Sequence, residues 1–154
     1  MVYKTPISVL VLIHTPALQV LLLERADKQG FWQSVTGSLE LLTDGSLERP
    51  EEAAVREVQE ETGLNADEYK LEDWGFSNVY EIYPHWRHRY EPSVTQNTEH
   101  VFGLELPAPL NVQLSPAEHV RYEWTDWREA AKRVFSWTNV EALRKLGERY
   151  GQSL

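Results

Sequence analysis

The residues best suited to chemistry lie in one stretch, Arg56-Glu57-Val58-Gln59-Glu60-Glu61-Thr62-Gly63-Leu64. Glu57, Glu60 and Glu61 stand at i, i+3 and i+4, so on a helix of about 3.6 residues per turn their carboxylates share one face. Three acids on one face repel and weaken an isolated helix. A cation placed among them relieves that repulsion, and hard oxygen ligands suit Mg²⁺ or Mn²⁺. Arg56 beside them offers a guanidinium fork that can hold carboxylates by paired hydrogen bonds, a positioning role without substrate contact. The plainer alternative is a solvated acidic face. The working reading is an enzyme of metal-dependent phosphate chemistry.

A helix is predicted from about Pro50 to Thr62. Pro50 fits its first turn, Glu51 and Glu52 sit at the positive end of its dipole, and Gly63 ends it. Around it, Ile7–Ile13 is continuous, β-branched and apolar, the pattern of a central strand buried on both faces. Thr15-Pro16-Ala17 breaks it, and Val20–Leu23 follows as a second strand across a hairpin-like turn. Glu24–Gly30 is predicted as loop, and Phe31–Thr36 as a short extended segment stopping at Gly37. Asp44-Gly45 marks a turn inside the irregular stretch from Gly37 to Gly45. Tyr69–Tyr83 suits one or two strands, Pro84–Asn97 a loop, Val101–Leu106 a strand and Tyr122–Trp124 a short strand. Asp126 or Thr125 can cap a helix over Trp127–Val134, and a last helix spans about Thr138–Glu148. The order predicts an α/β fold, a mixed sheet between helices, in a single domain over residues 1–154.

The 154 residues suffice for one core. A formal net charge of −9 argues against non-specific binding to nucleic acid or an anionic membrane surface. It is compatible with a small phosphorylated substrate, because a metal supplies positive charge locally. There is no cysteine, which excludes disulfides, thiolate zinc sites and cysteine nucleophiles. No apolar run is long enough to span a bilayer and no signal-peptide pattern is present, so a soluble cytoplasmic protein is expected. Oligomeric state is not legible.

Glu48, seven residues, then Arg56-Glu57-Val58-Gln59-Glu60-Glu61-Thr62-Gly63-Leu64 resembles the longer part of the Nudix box, G-x5-E-x7-R-E-U-x-E-E-x-G-U with U apolar. The front departs from it. Leu42 stands where the family has its glycine, and the best counterpart is Gly37, which implies an insertion in the loop entering the helix, a stretch that holds Glu40. Phe31-Trp32-Gln33-Ser34-Val35-Thr36-Gly37-Ser38, His88-Arg89-Tyr90, Val94–Glu99 and Ser136-Trp137-Thr138-Asn139 resemble the bacterial dihydroneopterin triphosphate pyrophosphohydrolases of folate synthesis.

The resemblance implies a Nudix fold and a Mg²⁺-dependent (or Mn²⁺-dependent) hydrolase that cleaves between the α and β phosphates. A housecleaning enzyme acting on dATP or 8-oxo-dGTP is the alternative within the family, and a non-catalytic nucleotide-sensing domain is the alternative outside enzymes. By resemblance, Glu57 and Glu61 are the better metal ligands, with Glu60 beside them. Glu118 matches a further ligand or general base, with Glu99 its rival. Gly37, Glu48 and Gly63 are structural members of the box. Lys4, Arg25, Thr36, Tyr80, Glu81, Ile82, Tyr83 and Ser136 match substrate-contacting positions. The run Pro84–Tyr90 alternates basic and aromatic residues, which suits stacking a flat heterocycle better than single-stranded nucleic acid at this net charge. His85 and His88 alone are too few for zinc.

Overall fold

The computed structural model describes residues 2–154. Its elements are β1 (Ile7–His14), β2 (Gln19–Arg25), β3 (Trp32–Gln33), β4 (Val35–Ser38), α1 (Pro50–Thr62), β5 (Lys70–Glu81), β6 (Gln96–Glu105), β7 (His119–Asp126), α2 (Trp127–Arg133) and α3 (Trp137–Arg149).

β1 is the central strand. It runs parallel to β6 from Ile7↔Thr98 to His14↔Glu105 and antiparallel to β4 over Ser8–Val11, and it meets β2 at His14↔Val20. Its alternate side chains serve two cores. Val9, Val11 and Ile13 pack with Ala53, Ala54 and Val58 of α1. Leu10 and Leu12 pack with Trp127 and Ala130 of α2 and with Ala142, Leu143 and Leu146 of α3. The mixed sheet therefore lies between helices, as the apolar run predicted. β5 and β7 extend the sheet against β6 and β2.

α1 has the predicted limits. Glu52 Oε1 accepts from the Arg49 N–H at 3.1 Å, and Gly63, at φ 76°, donates its N–H to Gln59 O at 2.9 Å. At that φ a side chain would be strained, so glycine closes the helix.

Several expectations are corrected. Phe31–Thr36 is not one segment ending at Gly37. It divides into β3 and β4, and β4 continues to Ser38 because Gly37 pairs with Val9 of β1. Tyr69–Tyr83, expected to hold one or two strands, holds one, as allowed, and its register slips between Asp73 and Ser77. Gly75, at φ 74°, sits in that slip, and its N–H is held by Asp73 Oδ1 at 2.8 Å. Pro84–Asn97 is not all loop: Pro84–Arg89 is 3₁₀ helix, and β6 begins at Gln96 rather than Val101. Polar residues hid that start, because Asn97 and Glu99 are buried although neither is apolar.

The inserted stretch is an ordered small hairpin. Leu41 bridges Leu47, Leu42 N–H donates to Ser46 O at 2.8 Å, and Glu48 N–H donates to Glu40 O at 2.8 Å. Asp44 Oδ1 ties its tip by accepting from Ser46 N–H and Oγ at 2.9 and 2.6 Å. Among the described residues no helix is long and apolar enough to cross a membrane.

Candidate metal and substrate site

Arg56 organises the acids of α1. Its Nε and Nη2 donate to the two oxygens of Glu48 at 2.9 and 2.8 Å, its Nη1 donates to Glu57 Oε1 at 2.7 Å and to Glu60 Oε2 at 3.2 Å, and Nη2 also reaches Ser38 O at 3.0 Å. The fork thus joins the chain entering the helix to the helix itself. Glu48 lies behind it, and its carboxyl is held below the usual range by the Arg56 guanidinium. Glu40 approaches Arg56 Nε at 3.3 Å from the hairpin.

The three acids on the shared face differ in environment. Glu60 is about half exposed, whereas Glu57 and Glu61 are buried. Burial raises the Glu57 carboxyl above its normal range against the pull of Arg56. Burial first, and then the Glu57 charge, raise Glu61 well above it. Gly37 of β4 makes room for this pair, because a Cβ there would stand 2.0 Å from Glu57 Cδ.

At the start of β7, Glu118 and His119 meet Glu61: ligand atoms of the three lie within 4.8 Å of one another. Glu118 is exposed and His119 is buried. Glu61 Oε1 and His119 Nδ1 are both buried without a hydrogen-bond partner and lie 3.8 Å apart. A chain of polar contacts orients the imidazole. Asp27 grips Arg25 at 2.8 Å twice, Arg25 Nη1 donates to Gln33 Oε1 at 3.3 Å, and Gln33 Nε2 meets His119 Nε2 at 3.0 Å. With the Gln33 oxygen occupied, its amide N–H₂ is the donor, which puts the neutral imidazole's own proton on Nδ1, facing Glu61. Burial and Arg25 lower the His119 pKa to about 4, so the ring is neutral at physiological pH.

The residues fit a divalent cation. Clustered carboxylates, one of them with a buried oxygen lacking any partner, are an oxygen donor set of the kind Mg²⁺ or Mn²⁺ takes.

These groups open into one cleft of about 1240 Å³. Glu57, Glu60, Glu61, Arg56 and Glu118 line one part, with Thr36 and Gly37 of β4. Tyr80, Glu81, Ile82 and Tyr83 line another, together with Ser136, which caps α3 by accepting from Asn139 N–H. Lys4 and Arg25 also reach the cleft. The Lys4 ammonium pKa is lowered, first by lost hydration at the wall and then by Arg89. The Arg25 fork is largely spent on Asp27, and its guanidinium carbon stands 4.2 Å from the Trp86 ring centre. Of the sequence-derived site residues, only Glu48 and Gly63 stay out of the cleft wall.

Sequence reasoning gave no role to His119, Gln33, Asp27 or Phe135. Phe135 stacks on Phe31 at 4.7 Å and lies 5.8 Å from both Tyr83 and Trp86, forming an aromatic corner of the cleft. The only local signal was the adjacency of His119 to Glu118. Glu99 also lines the cleft, on a different face of the sheet from α1.

An acid-bearing α1, a mixed sheet between helices and a cleft joining them define a known class: the NUDIX domain pattern matches residues 4–146, and the chain belongs to that family. Among particular relatives, it is 42% identical over 148 residues to the dihydroneopterin triphosphate diphosphatase of Escherichia coli (strain K12), covering 94% of both chains. It is 39% identical to the enzyme of the same name from Haemophilus influenzae, covering 94% of this chain and 89% of that one. The solved E. coli dihydroneopterin triphosphate pyrophosphohydrolase superposes with a TM-score of 0.85, covering 94% of this chain and 97% of that chain.

Proposed function

We propose that this chain, acting as one domain, is a metal-dependent pyrophosphohydrolase that cleaves dihydroneopterin triphosphate to dihydroneopterin monophosphate and pyrophosphate. The observation that carries the reading is the union, in one cleft, of the Glu57/Glu61/Glu118 carboxylates with an aromatic corner of Tyr83, Trp86 and Phe135. The identity to the two diphosphatases over nearly the whole chain supports the substrate.

Glu57, Glu61 and Glu118 would hold Mg²⁺, with Glu60 at the solvent side. The cation, when bound, offsets phosphate charge and lowers the pKa of a bound water. Arg56 fixes the Glu57 carboxylate, and Gly37 leaves space for it. His119, neutral and protonated on Nδ1, faces the buried oxygen of Glu61 at 3.8 Å. Lys4 and Thr36 contact the phosphates at the same wall, Glu118 takes the proton of the attacking water, and Tyr83 with Phe135 holds the ring. A cytoplasmic place in folate synthesis goes with this reading.

Pyrophosphate release from dihydroneopterin triphosphate, with and without EDTA, tests it. Release that needs Mg²⁺ and stops with EDTA is expected, whereas no metal-dependent release would refute the assignment.

A further inference from the structure

Glu99 is a buried acid that none of the steps above uses. It sits in β6 opposite Ser8 of β1, so it shares the sheet face of Leu10 and Leu12, packed by α2 and α3. The metal-site carboxylates Glu57 and Glu61 rise from α1 on the other face, and Glu99 is no member of the cluster around Glu61. Its residue is 4% exposed, it forms part of the cleft wall, and its Oε1 has no hydrogen-bond partner. The Thr138 hydroxyl is the one group that favours its charged form, and burial pushes its pKa up to about 7.

A buried carboxyl oxygen without a partner costs folding free energy, and such an atom in a cleft wall marks a place where a ligand supplies the missing donor. The surroundings are built rather than accidental. Asn97 Nδ2 donates to Ser8 Oγ at 2.7 Å and to the Tyr80 hydroxyl at 3.2 Å, which fixes two cleft-lining neighbours. Tyr80, Ser136 and Asn139 line the same cleft as Glu99.

We propose that Glu99 is a specificity-determining residue whose carboxylate accepts two adjacent N–H donors on the substrate heterocycle. The class this selects is a ring bearing an exocyclic amine next to a ring N–H. A pterin has that edge in its 2-amino group and N3–H. A lumazine, which carries a carbonyl oxygen in place of the amine, would set a lone pair against the carboxylate. An ionised carboxylate only accepts, so it matches two donors and rejects a donor–acceptor edge. The inference rests on the substrate reading above and assigns that reading's ring recognition to one side chain.

The test is binding of the ring alone, which separates this inference from catalysis. Dissociation constants of neopterin and of the corresponding 2-oxo lumazine are measured by calorimetry with the wild-type chain and with Glu99→Gln. The wild type should bind the pterin roughly tenfold or more tighter than the lumazine, the scale expected when a buried acceptor loses its donor. Glu99→Gln, whose amide presents one donor and one acceptor, should abolish or reverse that preference and raise KM for dihydroneopterin triphosphate more than it lowers kcat. Equal wild-type affinity for both rings, no pterin binding, or an equal loss for both rings in Glu99→Gln would each overturn the proposal. The wild-type comparison needs no variant to fold. Pterin discrimination without pyrophosphate release would sink the proposed reaction and leave ring recognition standing; release without discrimination would do the reverse.

Discussion

Gly37 lies directly against the carboxylate of Glu57: a Cβ built on the glycine would stand 2.0 Å from Glu57 Cδ and 2.1 Å from its Oε1. The contact joins β4 to α1 at the wall of the cleft. Gly37→Ala should therefore displace the Glu57 carboxylate while leaving the cores intact. A misplacement of that size costs roughly a hundredfold in kcat. Steady-state kinetics beside a circular dichroism melt would check it. Unchanged kcat would show that the Glu57 position is immaterial.

Glu61→Gln removes the deepest acid of the cluster without changing its shape. A loss of roughly a hundredfold or more in kcat is expected, together with weaker Mg²⁺ binding by calorimetry. The metal-free variant should melt no lower than the wild type, because Glu61 is 1% exposed and sits beside Glu57. Near-normal turnover would mean that the cation lies elsewhere.

Arg56→Ala leaves Glu48, 7% exposed, without its counter-charge. Breaking such a pair should cost about 3 kcal/mol, read as a lower urea midpoint at an unchanged slope. The pair also shapes the acid limb. Arg56 holds the folded Glu48 pKa below 4.5, so the stabilisation is present above that value and is lost as pH falls through the lowered one. Arg56→Ala should flatten that part of the profile. An identical acid limb would contradict the pairing.

How much of this was legible in the sequence follows from what is local. The limits of α1, its proline start and glycine stop, and the two-sided burial of β1 are written in short-range spacing, and they were readable. So was the Arg56–Glu57–Glu60–Glu61 set, because one helical face carries it. Glu99 and Asn97 were not assigned to β6, because their burial depends on partners in β1, β5 and α3 brought together by the fold. His119 acquires its orientation only through Gln33 and Arg25, which lie far from it in the chain. The inserted hairpin read as irregular because its order comes from backbone pairs around Asp44-Gly45, not from an apolar pattern.

Two buried groups predict opposite pH effects on the stability of the metal-free, ligand-free protein. His119 has a folded pKa of about 4 against 6.5 when free, so the unfolded chain binds the extra proton and stability rises with pH across that window. Glu99 has a folded pKa of about 7 against 4.5, so the folded chain holds the extra proton and stability falls from 4.5 to about 7. Above pH 6.5 the His119 effect is complete, and the carboxyls dominate. Glu99→Gln should then be more stable than the wild type by roughly 3 kcal/mol near pH 8. Urea titrations in EDTA from pH 5 to 8 would show it, and parallel profiles for the two proteins would contradict it.

The central claim concerns the substrate, and the most direct measurement is kcat/KM for pyrophosphate release with Mg²⁺ from dihydroneopterin triphosphate, dATP and 8-oxo-dGTP in parallel. The pterin triphosphate should have the highest value. A preference for dATP or 8-oxo-dGTP by an order of magnitude would contradict the account and make the chain a nucleotide-directed member of the same family.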